Sequence, residues 1–580
     1  MGRAPRRPND SGFAELRAAR RVDRPIYAAV AVFSFFANLL MLTGPIYMLQ
    51  VYDRVLGSGS VETLVSLSLI AAYLFVTMAI IDIARHRLLS RVGARFEARL
   101  AERVMRATIA RSRTHHDATP EQSTQALQLL RNAIASPAFM AAYDLPWTPI
   151  FLIGIAIFHP ALGLLAVLGG AILIALALGN QLSSRHPQTA AQNAQTQTDE
   201  LTQQFHHGAD TIAATGMESA LIRLWRQQRD IFSDHQVQAL DVTALFGTSI
   251  RTMRIFLQTA LLGLGAYLVI QNDLSPGAMI AASVLTGRAL SPVETIISAW
   301  PSLDPALRGW TAVGRLLSDV PPVPPRTPLP EPRSRVDVCD LTVVPPNQSV
   351  AALRLVSFSV GPGQVIGVIG PSGSGKSTLA KALTGVWPAA GGLIRLDGAP
   401  LAHYDQETLG RSIGALPQTV QMFHGTIAEN IAGFAEPIDL SAVYAAAQVA
   451  QAHEMILTLP EGYDTRLRHG ETGLSGGQLQ RIALARAVYG DPKIVILDEP
   501  NAHLDHDGEA ALLLTIRQLK SLGKACIVMT HRPAALQDCD AVLVLEGGRR
   551  VAFGPRDDVL KKVLLPPNSA KITAADRSVS

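Results

Sequence analysis

The sequence predicts an all-α membrane domain of six transmembrane helices followed by an α/β domain of the P-loop kind. Three observations predict it. The 580 residues exceed one ordinary core, and they are 48% hydrophobic but only 17% charged, a balance that places part of the chain in lipid. Apolar runs long enough to cross a bilayer are confined to the first half of the chain. A glycine-rich loop, Gly370-Pro-Ser-Gly-Ser-Gly-Lys-Ser-Thr378, follows the apolar strand Val365 to Ile369 and precedes a helical run in the second half.

The N-terminal segment 1–25 is basic, with seven arginines in the first 24 residues. The apolar span after it is longer than a signal-peptide core, and no A-x-A cleavage pattern closes it, so it reads as a retained membrane helix. The spans are expected at Ile26 to Gln50, Leu64 to Ile83, Ala142 to Phe158, Ala161 to Leu178, Met253 to Ile270 and Pro276 to Trp300, within a membrane domain 26–315. The third is the least regular, because Asp144, Pro146 and Pro149 interrupt its start.

Orientation follows from where the arginines lie. Ten fall between Arg85 and Arg131 and five more between the fourth and fifth spans, whereas the turns on the other side hold only Arg54. The long polar segments 84–140 and 181–250 are therefore cytoplasmic. Helical spacing within them, as at Leu88, Val92, Phe96 and Leu100, marks solvated extensions of membrane helices rather than lipid- or RNA-binding arms. A net charge of +4 over this length gives no reason to expect a nucleic-acid partner. Asn38, Thr43, Gln50 and Arg254 are polar positions in the spans that could face a lumen or pack between helices.

Seven of the twelve residues from Pro321 to Pro332 are proline, which sets a spacer at 316–334 before a soluble domain at 335–565. The tail 566–580 is polar and is expected to be unstructured. Cys339, Cys526 and Cys539 fit neither a metal site nor a disulfide framework and read as isolated thiols in a reducing compartment.

In the soluble domain, strands at Val365 to Ile369, Ile494 to Leu497, Ala525 to Met529 and Ala541 to Leu545 alternate with helices. In the loop, Gly370, Pro371, Ser372, Gly373, Ser374 and Gly375 let backbone N–H groups surround phosphates. Lys376 reaches the β- and γ-phosphates of ATP, Ser377 can ligate Mg²⁺, and Thr378 follows it into the helix. Ile494-Val-Ile-Leu-Asp-Glu-Pro500 ends a strand in two carboxylates: Asp498 suits Mg²⁺, and Glu499 suits the base that activates water for phosphoryl transfer.

Leu474-Ser475-Gly476-Gly477-Gln478 resembles the signature motif of ATP-binding cassette (ABC) proteins, as does the run Leu479 to Ala487. Ser475 and Gly477 would stand at a helix N-terminus, where the dipole favours a γ-phosphate. The resemblance implies that this phosphate belongs to ATP on a second subunit, hence a homodimer. It also makes Gln418 a Q-loop residue sensing Mg²⁺, His531 the switch histidine, and Leu504-Asp505 a D-loop. Two departures stand out: Val344-Pro345-Pro346 replaces the aromatic that stacks on adenine, and Ala502-His503 replaces a common Ser-Ala pair.

Six spans fused to one nucleotide domain resemble ABC exporter architecture. The run Leu42-Thr-Gly-Pro-Ile-Tyr-Met-Leu-Gln-Val-Tyr-Asp-Arg-Val-Leu56 is similar to type I protein secretion ATPases, and Glu499 to Asp505 and Asp210 to Glu218 agree with that group. Such a resemblance implies a multi-pass protein of the bacterial inner membrane with a cytoplasmic nucleotide domain, a periplasmic adaptor, an outer-membrane channel, and a secreted protein with a C-terminal signal. Membrane lipid surrounds the spans. The short segment before the first span leaves no room for an N-terminal peptidase domain. An exporter of lipid or small hydrophobic molecules would share every ATPase motif and is the alternative.

Overall fold

The computed structural model describes residues 11–114, 120–322, 329–330, 332–467, 473–502 and 504–564. Part of the proline-rich spacer, His503 of the D-loop and the tail 566–580 lie outside them. Two compact units divide the chain, one of residues 1–111 and 118–321 and one of residues 112–117 and 322–580.

Among the described residues of the first unit, six helices are long and apolar enough to cross a membrane: Arg24–Ser58, Val61–Arg113, Pro137–Phe158, Pro160–His206, Glu218–Ile270 and Pro276–Ser298. The second span runs without a break from Val61 to Thr114, 54 residues, about 80 Å at the helical rise. Its extension beyond the lipid is held by three of the expected periodic positions, Val92, Phe96 and Leu100, and by Val104, each 3% exposed or less, while Leu88 is half-buried. Phe96, Leu100 and Val104 pack with Leu127, Leu130, Val313 and Leu317 in one apolar cluster. The basic N-terminal segment contributes a helix, Ser11–Arg21, that its charge did not advertise. Leu16 is buried in the same cluster, and Gly12 lies so close to the last helix of the unit that a Cβ would meet the Gly314 carbonyl at 2.3 Å.

The third span begins earlier than expected, at Pro137, with Ser136 as N-cap accepting from the Phe139 N–H. Pro146 costs only a 3₁₀ turn, Leu145–Trp147. Asp144, which interrupts the apolar run in the sequence, is compensated across helices: Arg85 donates to it at 2.9 Å and Asn38 at 2.6 Å. Arg85 also donates to Ser34 Oγ and Asp82 at 2.8 and 2.7 Å. Asn38 is therefore a packing residue, and Arg254 is paired with Glu294 at 3.2 Å.

The first span closes with a π-helical turn, Val51–Val55, within the Leu42 to Leu56 run. The extra residue per turn aims Asp53 at the start of the sixth span, where its carboxylate accepts from Ser275 Oγ at 2.7 Å and Gly277 N–H at 2.8 Å. A carboxylate there meets the positive end of that helix, and only glycine fits, because a Cβ on Gly277 would lie 2.6 Å from Asp53 Oδ1.

The described residues of the second unit form twelve strands: β1 Val336–Val343, β2 Leu353–Val360, β3 Val365–Ile369, β4 Gly391–Leu396, β5 Ala399–Pro400, β6 Ile413–Leu416, β7 Gly425–Thr426, β8 Arg466–Leu467, β9 Ile494–Asp498, β10 Ala525–Met529, β11 Ala541–Glu546 and β12 Arg549–Pro555. The main sheet has the order β12-β11-β3-β10-β9-β6. Its β11, β3, β10, β9 and β6 are parallel, and only β12 is antiparallel. The core strands are continuous apolar runs because helices cover both faces; β9 and β10 are buried at every residue. A smaller antiparallel sheet, β2-β1-β4-β5, packs beside it. Cys526 and Cys539 are buried free thiols, and burial pushes Cys539 up to about 12.

Candidate functional site

Parallel α/β sheets expose their chemistry at the carboxyl ends of the strands. At that edge of β3, β9 and β10 the sequence motifs meet. The loop after β3 turns into the helix Lys376–Leu383. Gly375 has φ +101, and a Cβ there would lie 2.6 Å from Leu353 Cδ2 and 2.9 Å from the Ala352 carbonyl; both conditions demand glycine. Lys376 is 7% exposed, and its Nζ donates to the carbonyls of Gly370 at 2.7 Å and Pro371 at 3.1 Å.

Asp498 ends β9 and is 4% exposed. Burial raises its carboxyl above the ordinary value, opposed by a hydrogen bond from Ser377 and by the nearby lysines Lys381 and Lys376. Its Oδ1 and the hydroxyl of Ser374 are buried without a hydrogen-bond partner among the described residues. A buried carboxylate with an orphaned oxygen beside a serine hydroxyl fits a hard divalent cation that takes oxygen ligands.

Glu499 follows in a left-handed conformation, φ +49. Its N–H bonds to the Met529 carbonyl at 2.9 Å, so the turn is fastened to β10. This swings the side chain away from Asp498 and toward two distant residues. Gln418 Nε2 donates to Glu499 Oε2 at 2.9 Å, and His531 Nδ1 stands 3.6 Å from Glu499 Oε1. Gln418, Glu499 and His531, singled out separately in the sequence, therefore form one cluster.

Ser475 is the N-cap of the helix Gly476–Val488. Its Oγ accepts from the Gln478 N–H at 3.2 Å while Gln478 Oε1 accepts from the Ser475 N–H at 2.8 Å, a reciprocal capping box. No hydrogen bond among the described residues joins Ser475, Gly476, Gly477 or Gln478 to the phosphate loop of the same chain. Asp505 caps the next helix, His506–Ser521, accepting from Gly508 at 2.8 Å. One contact escaped the sequence reading: Gln480, 3% exposed, donates to the Pro500 carbonyl at 3.2 Å. It couples the signature helix to the Glu499 turn, and its only sequence signal is a polar residue on the buried face of an apolar helix.

Six membrane helices fused to a phosphate-loop domain with this cluster and this capped signature helix define an ATP-binding cassette transporter. The ABC transporter family matches residues 353–502 and the ABC transporter transmembrane region matches residues 27–292. The type I secretion system ATP-binding protein PrsD of Rhizobium meliloti is 40% identical over 567 residues, 97% of each chain. The cyclolysin secretion/processing ATP-binding protein CyaB of Bordetella pertussis is 28% identical over 547 residues, 93% of this chain and 76% of its own. The solved structure of a bacterial Atm1-family ABC exporter with ATP bound superposes with a TM-score of 0.81 at 23% identity, covering 94% of this chain and 97% of its own; at that identity the likeness speaks to fold. The chain belongs to the type I secretion ATPases of the ABC transporter family, and it is a multi-pass inner-membrane protein whose ATPase is coupled to transport.

Proposed function

We propose that the chain exports unfolded polypeptide across the bacterial inner membrane, as the ATPase and permease of a type I secretion system, and that it hydrolyses ATP in two composite sites of a homodimer. Full-length similarity to PrsD supports the polypeptide cargo over lipid or a small hydrophobic molecule. The observation that carries the chemistry is the convergence of Gln418, Glu499 and His531 beside Lys376 and Asp498.

In this reading the loop 370–378 holds the phosphates of ATP with its backbone N–H groups, and Lys376 exchanges its two loop carbonyls for phosphate oxygens. Ser377, Asp498 and Gln418 would hold Mg²⁺, which neutralises phosphate charge when bound. Glu499 orients water in line with the γ-phosphorus and takes its proton as the new P–O bond forms and the bond to the ADP oxygen breaks. His531, its ring 61% exposed, reaches toward the γ-phosphate. The capped helix at Ser475 points its free N–H groups outward, and its separation from its own phosphate loop supports a γ-phosphate supplied by the second subunit. A periplasmic adaptor, an outer-membrane channel and a C-terminal signal on the cargo complete the reading.

The test compares proteins in the growth medium of host cells with and without the chain. Loss of specific polypeptides, restored by the wild type and not by Lys376→Ala, is expected. An unchanged medium, together with hydrolysis that responds to lipid and to no polypeptide, would overturn the reading in favour of the lipid exporter.

A further inference from the structure

Helices that face lipid show it in their exposed side chains. The second span exposes Val65, Leu69, Tyr73, Val76 and Ile80, and the third exposes Ile150, Ile153 and Ile157. The sixth span, Pro276–Ser298, does the opposite. It is the most buried of the six, and none of its large hydrophobic side chains is exposed. Beyond its first residue, Pro276, what it leaves open is Arg288, Ser291 and Ser298, with Thr295 half-buried between them. Steps of three and four residues put these on one helix face. Gly287 lies beside this stripe with nothing within 4 Å of where a Cβ would stand.

Arg288 is the thirteenth residue of that helix, so it lies about 18 Å from one end and about 15 Å from the other. Its side chain is too short to bring the guanidinium to either interface from the middle of a span. It makes no ion pair among the described residues, and Glu294, the one acid on the same helix, is taken by Arg254 at 3.2 Å. A mid-span guanidinium facing hydrocarbon is costly, and such residues almost always face water or protein. The hydroxyls below it present no such requirement, since Thr295 and Ser298 donate to carbonyls of their own helix; they serve as a polar, water-tolerant wall.

We infer that the stripe Arg288, Ser291, Thr295 and Ser298 lines the aqueous path through the membrane and that Arg288 receives the carboxylates of an extended acidic polypeptide passing along it. This rests on the polypeptide-export reading. A guanidinium offers forked donors that match a carboxylate, and its field selects against basic segments.

The test uses the purified full-length chain in proteoliposomes with ATP, comparing stimulation of hydrolysis by a Gly-Ser-Asp repeat peptide and a Gly-Ser-Lys repeat peptide. The wild type should respond to the acidic peptide at a concentration up to about fivefold lower, the effect of one partly solvated charge pair. Arg288→Lys should keep that order, and Arg288→Glu should reverse it. Ser291→Asp, one turn away, should weaken the acidic response alone. An unchanged order in both charge variants would overturn the inference and leave the export reading standing. Conversion of Arg288→Glu to a monomer would also overturn it, assigning the residue to a subunit contact. Failure of every polypeptide, acidic or basic, to stimulate the wild type would sink the export reading and the inference with it.

Discussion

Glu499→Gln removes one proton acceptor and leaves the shape of the site. The carboxylate accepts a hydrogen bond from Gln418 at 2.9 Å, and the amide oxygen of glutamine can accept the same bond. Replacing a charged acceptor by a neutral one weakens that bond by about 1 kcal/mol. The same change removes the negative charge that helps push up the Asp498 carboxyl, an offsetting gain of similar kind. Unfolding free energy should therefore stay within about 1 kcal/mol of wild type. The catalytic loss is far larger: a positioned general base contributes roughly 10²–10⁴-fold, equivalent to about 2.7–5.5 kcal/mol of barrier. Steady-state phosphate release should fall by that factor while ATP affinity, measured by equilibrium binding, is kept and bound ATP persists unhydrolysed. A variant that melts like the wild type yet hydrolyses ATP within a factor of about ten of it would refute Glu499 as the base.

Asp498→Asn should give a stability that depends less on pH. The buried carboxyl has a folded value above 3.8, so the folded state binds the proton more tightly than the unfolded one. Stability is then lost as pH rises from about 3.8 through the folded value, and in EDTA at neutral pH the asparagine variant should melt higher than the wild type while hydrolysing no ATP. Melting curves over pH with and without magnesium check both halves. In the membrane unit, Asp144→Ala removes one of the two carboxylates paired with Arg85, which is 3% exposed and keeps Asp82 at 2.7 Å, and should destabilise by about 1–3 kcal/mol. The double change Arg85→Met with Asp144→Leu should recover most of that in a detergent thermal-stability assay, since an apolar pair of similar volume carries no buried charge.

The local signals were strong wherever one short stretch sets both geometry and chemistry. The loop 370–378 is legible because Gly375 must be glycine and Lys376 must follow it, and the strand ending in Asp498-Glu499 is legible because a fully buried strand is a continuous apolar run. The six spans follow from length and apolarity, since backbone in lipid must bond to itself. Even the signature motif announces a capped helix by spelling a capping box at Ser475 and Gln478.

Other features depend on which distant residues the fold brings together, and no window of sequence carries that. Asp144 reads as a flaw in a span until Arg85 and Asn38 close on it. Asp53 reads as the exit of a helix until a π turn delivers it to Gly277. By sequence, Asn38 and Arg254 could face a lumen or pack between helices, and both are spent on interhelical pairing, while Arg288 passed unremarked because exposure on the face of a helix is a property of packing. The sequence by itself determined what each motif can bind, since that is local chemistry. Only the tertiary structure decided which charges in the membrane are satisfied and which are left facing a path, because burial and pairing arise from contacts between helices far apart in the chain.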